Sequence, residues 1–428
     1  MERIAMVFED ACSPVANDLV SPWTDEVRLS DASYHESGMS DDSGSTCLMQ
    51  PFVHQVGGHS NMFTYEGNTV CKPLFEKEYN FYRQMPEEMR PFAPICEGNF
   101  DVMLLKDADS QVRISIVSPI RPLQARDALD PDTEYENGQF NQGIPEDQTE
   151  RPSTVFSNTK LEKNPWSVWC HKRMYARMDS DRPEGPKKYI ILKNAVIGFK
   201  APSILDLKMG TRQHGLDDTE YKIGRKTSKC LSSTSCTLGF RVGGMQVYQR
   251  TTGNNIHCDK FMGEAASKDT VHKLFQKFLS NGVRLRLEVI DLFVEKLRAI
   301  LKVMVKRCDV RMFSSSLMMV YEGIENPGEE GEDLADGRVV EGEECSGSDD
   351  SNLIQSFPSS ASYSAASSSA KTASGLKVEI KMIDFAQSFH TASRTDVKFV
   401  GPDIGYIYGL ESLIKIFLNV KERYKESW

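Results

Sequence analysis

A mixed α/β fold of two or three lobes follows from three features of this sequence. At 428 residues the chain is long enough to bury more than one core. Strand-like apolar runs alternate with amphipathic helical ones, and none approaches the length needed to span a bilayer. Apolar residues make up 39% of the chain with aromatics scattered throughout, as in a globular protein carrying polar insertions.

Residues 1–47 mix Ser, Asp and Pro without periodicity and read as a disordered arm. From Pro51, "FVHQVGGHSNMFTYEGNTVCKPL" reads as strand, turn, strand, with Glu66-Gly67-Asn68 as the turn and Cys71-Lys72-Pro73 closing the second strand. "FEKEYNFYRQM" predicts a short helix with Phe75, Tyr79 and Tyr82 on one face. Strands follow at "NFDVMLLKD" and "VRISIVSPI", and residues 125–163 form a polar loop. "YIILKNAV" is a buried strand. In the next, "PSILDLKMG", alternation puts Ile204, Asp206 and Lys208 on one face and Leu205 and Leu207 on the core face.

"LDDTEYKIGRKTSKC" starts with acidic residues suited to a helix N-terminus and then places Lys222, Arg225, Lys226 and Lys229 on one face. Gly224 weakens that helix by roughly 1 kcal/mol. "DTVHKLFQKFLSNG" has an apolar stripe of Val271, Leu274, Phe275, Phe278 and Leu279, with Gly282 as its stop. A longer helix spans 284–307. "RMFSSSLMMVYEG" and "LKVEIKMIDFAQSF" are strands separated by a disordered acidic and Ser-rich insertion, as in a hairpin with an overgrown connection. The helix "DIGYIYGLESLIKIFLNVKERY" follows.

The net charge of −10 belongs to that insertion. Between Glu322 and Asp350 twelve acidic residues face one basic residue, Arg338, which gives −11 and leaves the rest near +1. Acidity therefore does not exclude an anionic ligand elsewhere. The N-terminus lacks the pattern of a signal peptide. Ten cysteines without C-x-x-C or His/Cys ligand spacing imply free thiols in a reducing, cytoplasmic or nuclear compartment.

Several residues could carry chemistry, and each has a plainer reading. Asp206 and Lys208, roughly 7 Å apart along a strand, are either a structural ion pair or part of a site for a phosphorylated ligand. Asp384, at the end of an apolar strand, suits either a turn or a magnesium ligand in phosphoryl transfer. Lys72 is either solvated or placed to reach nucleotide phosphates. The glycine pair of "HQVGGH" could approach phosphates but is not G-x-G-x-x-G. Walker A and H-R-D sequences are absent, which disfavours a P-loop NTPase or a protein kinase. Lys208, Arg212 and His214 lie just ahead of the basic stripe. So many cations suit a ligand with several phosphates, or else a solvated face. Nucleic acid is not expected, since no base-stacking or groove-reading element accompanies them.

"PSILDLKMGTRQHG" resembles the P-x-x-x-D-x-K-x-G signature of the inositol polyphosphate kinases, and "SSSL", "IDFA" and "DIGY" resemble that family's later motifs in order. Within it, "PFVHQVGGH", "CKPL", "NPWSVWCHKRM", "DLKMGTRQHG" and "GMQVYQ" are most similar to the inositol hexakisphosphate kinases. The resemblance runs from about Pro51 to about Phe417. It implies a two-lobed fold, protein-kinase or ATP-grasp-like, with a small helical substrate-binding segment. The N-terminal ATP-binding lobe would span 48–192. The C-terminal lobe would span 193–428, with an inositol-phosphate-binding segment at 211–235 and the insertion at 324–376.

The resemblance also implies ATP and Mg²⁺, and pyrophosphorylation of inositol hexakisphosphate, chiefly at the 5-phosphate. By position, Lys72 resembles the ATP-phosphate lysine, and Lys193 with Asn194 the hinge that holds adenine. Lys208 resembles the catalytic, substrate-phosphate lysine, with Asp206 beside it. Asp384 resembles the metal ligand, supported by Ser315 or Ser316. Arg212, His214, Lys222, Arg225, Lys226 and Lys229 would bind substrate, and the insertion could recruit protein partners. Three positions depart from the family pattern: Lys193 replaces an acidic hinge residue, Gln387 a His or Lys, and Glu264 an arginine near the substrate. A broader kinase acting on less phosphorylated inositols, or a weakly active inositol-phosphate-binding scaffold, are the alternatives.

Overall fold

The computed structural model describes residues 50–58, 60–106, 112–123, 164–176, 178, 185–325, 376–394 and 396–425. The arm at 1–47, the loop at 125–163 and all of the insertion at 324–376 except its ends lie outside the described residues.

The first sheet takes β1 (Gln50–Pro51), β2 (Phe63–Tyr65) and β3 (Thr69–Pro73), then β4 (Cys96–Lys106), β5 (Val112–Ile116), β6 (Arg121–Pro122) and β7 (Lys187–Lys193). Helix α1 (Glu76–Gln84) follows β3, and α2 (Pro165–Tyr175) precedes β7. The antiparallel order is β1-β2-β3-β7-β4-β5, with β6 also on β4. Glu66 and Gly67, at φ 48° and 73°, close the β2–β3 hairpin. Residues 54–58 of "HQVGGH", read above as strand, are instead a loop whose carbonyls at Gln55 and Gly58 bond to Asn164 and Trp166 at the start of α2 rather than to a ladder. On β7, Tyr189 and Ile191 pack on one face of the sheet, while Ile190 and Leu192 join the main core on the other.

The second part begins with β8 (Pro202–Met209), α3 (Glu220–Leu231), α4 (Thr234–Leu238), β9 (Phe240–Gln249), β10 (Asn254–Cys258), α5 (Lys260–Glu264) and α6 (Val271–Leu279). It continues with α7 (Glu288–Met304), β11 (Val310–Arg311), β12 (Ser316–Glu322), β13 (Val378–Ile383), β14 (Phe389–His390) and α8 (Ile404–Lys425). The antiparallel sheet β10-β9-β8-β12-β13 puts β8 at its centre. The strands flanking the insertion, β12 and β13, are antiparallel neighbours, as an overgrown hairpin requires. Asp403 starts α8 by accepting from the Tyr406 amide, and its other oxygen accepts from Met312 N.

Leu205, Leu207 and Met209 bury the core face of β8 against α6, α7 and α8, where Phe275, Phe278, Phe293 and Phe417 meet edge-on or tilted. Each such ring stabilises the fold by about 1.5–3 kcal/mol through burial. Ile204, on the opposite face, packs with Phe52, Val56, Val70 and Val320, so the two sheets meet there.

Two local expectations shift. In α1 the buried positions are Glu78, Phe81 and Tyr82, while Phe75 is exposed, because the helix begins one residue after Phe75. Helix α6 ends at Leu279 with Ser280 as its C-cap, so Gly282, at φ 87°, serves the following turn.

Candidate active site

A cleft of about 1650 Å³ lies between the two sheets. It is lined by Lys72 and Glu78 from the first part and by Asp206, Lys208 and Asp384 from the second. Lys72 is held because β3 ends with its side chain inward. Its Nζ donates to Glu78 Oε1 and to Asp384 Oδ1, each at 2.9 Å. Burial alone would lower the Lys72 pKa, but the carboxylates of Asp384 and Glu78 outweigh it and raise it. Glu78 also accepts from the Phe385 amide at 3.1 Å, so one carboxylate fixes both the lysine and the backbone after Asp384.

Asp384 follows β13 with φ 63°, a left-handed conformation that costs a non-glycine residue on the order of 1 kcal/mol. That turn ends the strand and presents the carboxylate to Lys72. Ser314, which also lines the cleft, is likewise left-handed at φ 58°.

Asp206 and Lys208 lie on the central strand, so they face the cleft and not a sheet edge. Burial, then the neighbouring Asp384, pushes Asp206 up to about 6 against the pull of Lys208. Burial lowers the Lys208 ammonium, opposed by Asp384 and Asp206. Among the described residues Asp206 Oδ1 and the Ser316 hydroxyl make no hydrogen bond of normal length, yet Ser316 is near enough to Asp206 to favour its ionised form.

Helix α3 is capped by Thr219 and borders the cleft with Lys222, Arg225 and Lys226. Lys226 bonds Asp218 at 2.7 Å, and Asp218 also accepts from Gly215 N. Lys229 turns away to Glu264, which outside the cleft lining is a paired charge. Arg212 stacks over the Phe313 ring at 4.4 Å and donates to His214 O, so neither Arg212 nor His214 lines the cleft. Lys193 and Asn194 do line it. Lys193 Nζ is 3.9 Å from Glu97 Oε1, and Asn194 Oδ1 accepts from Val196 N. Ser315 is buried and donates to Met312 O at 2.8 Å. Gln387 also borders the cleft, against the backbone of Gly215.

The family model for inositol polyphosphate kinase matches residues 189–418. Inositol hexakisphosphate kinase 1 of Mus musculus is 34% identical over 417 residues, covering 88% of this chain and 94% of that protein. Inositol hexakisphosphate kinase 2 of Rattus norvegicus is 32% identical over 424 residues, with 88% and 95% covered. The chain belongs to the inositol polyphosphate kinase family. Inositol hexakisphosphate kinase 3 of Mus musculus is 31% identical over 411 residues, covering 87% of this chain. A solved structure of the inositol phosphate multikinase Ipk2 of S. cerevisiae, in complex with ADP and Mn²⁺, aligns at a TM-score of 0.46 and 17% identity, covering 83% of this chain and 99% of that one.

The matched family segment begins inside β7 and so contains Asp206, Lys208, α3 and Asp384 but neither Lys72 nor Glu78. Glu78 is the residue that reading the sequence overlooked. Its signal was a carboxylate three and four positions before Phe81 and Tyr82, which puts it on their buried face.

Proposed function

We propose that this kinase transfers the γ-phosphoryl group of ATP to inositol hexakisphosphate, giving diphosphoinositol pentakisphosphate. The observation that carries the reading is the Lys72–Asp384 pair, which joins the two sheets across a cleft walled by Lys208 and α3. The names and the full-length similarity of the hexakisphosphate kinases support the choice of acceptor.

In this reading Lys72 holds the nucleotide phosphates, and Lys193 with Asn194 borders the adenine. Lys208, Lys222, Arg225 and Lys226 offset the charge of a polyphosphate acceptor. Asp206 orients Lys208 and the acceptor. Because the acceptor oxygen belongs to a phosphate, it needs little deprotonation, and positioning with charge neutralisation dominates.

Asp384, with about a third of its side chain exposed to the cleft, is the residue that would hold Mg²⁺. Oxygen donors suit that ion, and substrate phosphates and water would complete the set around a single carboxylate. When bound, the ion neutralises phosphoryl charge. Ser315 is committed to Met312 O, and the Ser316 hydroxyl is buried outside the cleft lining.

Glu264 raised the alternative of a less phosphorylated acceptor. Its pairing with Lys229 removes the unpaired negative charge on which that alternative rested. The seven described cysteines are all free thiols, which suits a reducing, cytoplasmic or nuclear setting. No helix among the described residues is long and apolar enough to cross a membrane.

The test is turnover by purified protein with ATP and Mg²⁺, offering inositol hexakisphosphate or a less phosphorylated inositol separately. Faster consumption of hexakisphosphate is expected. Turnover of only the lesser acceptor would assign the broader kinase, and binding without turnover would assign a scaffold.

A further inference from the structure

The sequence "HQVGGH" and the helix α2 have no part in the reaction as described, yet the structure joins them to Asp206. The loop that begins at Phe52 is held by the first turn of α2. Asn164 donates to Val53 O at 2.8 Å and to Gln55 O at 2.9 Å. Ser167 donates to Phe52 O at 3.0 Å, and the Trp166 indole to Gly58 O at 3.1 Å. From inside the loop, Gln55 donates to Gly57 O and Ser60 O. Phe52 and Val56 anchor its apolar side against Ile204 of β8.

Held in this way, the loop lays bare backbone on the second sheet. A Cβ on Gly57 would lie 1.9 Å from Asp206 Oδ2, and one on Gly244 would lie 1.8 Å from Val56 O. Gly57 has no positive φ, so glycine is needed there for space and not for backbone conformation. Beside the same carboxylate, the extra residue of the β8–β9 bulge is Gly243, whose Cβ would reach Asp206 Oδ2 at 3.2 Å. Asp206 is 7% exposed, and its Oδ1 makes no hydrogen bond of normal length among the described residues. Close backbone contact at Gly57 and Gly243 therefore confines its Oδ2, beside the Ser316 hydroxyl and the Lys208 ammonium that also act on the carboxylate.

We propose that Gly57 is a positioning residue for Asp206, and that α2, through Asn164, Trp166 and Ser167, holds it in place. The inference rests on the kinase reading for its catalytic consequence. The first sheet's loop thereby fixes a carboxylate of the second sheet, so the alignment of Asp206 beside Lys208 depends on how the two parts are seated. Misplacement of a reacting group by about 1 Å lowers a rate by on the order of 100-fold.

The test is a double-mutant cycle of Gly57→Ala and Asp206→Ala, read in Tm without ligands and in kcat and KM with ATP, Mg²⁺ and inositol hexakisphosphate. Gly57→Ala is expected to lower Tm and to lower kcat by at least about tenfold, with the KM for ATP changed far less. In the Asp206→Ala background the same change should leave Tm and residual activity unaltered, since the methyl group then has room. Trp166→Phe, which keeps an aromatic ring and removes the bond to Gly58 O, should lower kcat without raising the KM for ATP. Equal losses in both backgrounds, or an unchanged kcat in Gly57→Ala, would overturn the proposal. If Gly57→Ala fails to fold, the double variant should fold, and its failure to do so would also overturn it. The Tm cycle needs no substrate, so a wild-type protein without turnover would refute the kinase reading while the Gly57–Asp206 contact was still tested.

Discussion

Asp206 carries an energetic cost that the fold meets elsewhere. Its carboxyl is pushed up to about 6, by burial first and Asp384 second, against an unfolded value near 3.9. A folded value above the unfolded one means that the folded chain holds this proton more tightly. The contribution to stability is therefore fully present below about pH 4 and is lost as pH rises through 6. At pH 7.5 the ionised group works against folding, by about 3 kcal/mol at most. Without nucleotide or metal, Asp206→Asn should raise Tm by a few degrees at pH 7.5, with the gain shrinking toward pH 4.5, while turnover falls. An unchanged Tm at pH 7.5 would mean that the carboxylate is compensated in place. Alternation along "PSILDLKMG" was enough to place Asp206 and Lys208 on one face. Sequence could not show that Lys72 reaches Asp384, 312 positions away, since that contact depends on how two sheets meet.

The same division holds for whole elements. Helical periodicity located α6 and α7, and it located α3 with its basic face, because an apolar stripe or a run of like charges at 3.6-residue spacing is a local property. Helix α2 carried a signal that was not used: Asn164 accepts from Trp166 N and Ser167 N as an N-cap, followed by Pro165 at the first helical position. What periodicity cannot show is how a charged face divides on packing. Of the four α3 cations, three border the cleft and Lys229 pairs with Glu264. Accordingly, Lys222→Ala and Arg225→Ala should each raise the acceptor KM severalfold with kcat little changed. Lys229→Ala should alter it much less, because a partly exposed pair contributes about 0–1 kcal/mol. Steady-state kinetics at fixed, saturating ATP would check this, and equal effects from all three would place the whole stripe in the acceptor site.

Over the whole molecule, the cleft exists because a central strand of one sheet faces the hairpin β2–β3 and α1 of the other. Along its lining, Asp217 ahead of α3 pairs across it with Lys77 of α1 and, within the second part, with Arg394. Its floor is crossed by Lys72–Asp384, with Glu78 fixing both partners. Element order and the two-strand hairpin around the insertion were legible as pattern. The seating of one sheet on the other was not, because it is carried by single contacts between residues distant in sequence. In the proposed reaction this floor transfers a phosphoryl group to an inositol polyphosphate. The most direct measurement supplies γ-labelled ATP, Mg²⁺ and inositol hexakisphosphate to the wild type and to a folded Asp384→Asn variant. Label is expected in a product more anionic than hexakisphosphate, formed by the wild type and lost in the variant. Label transferred equally by both, or by neither while hexakisphosphate is bound, would contradict it.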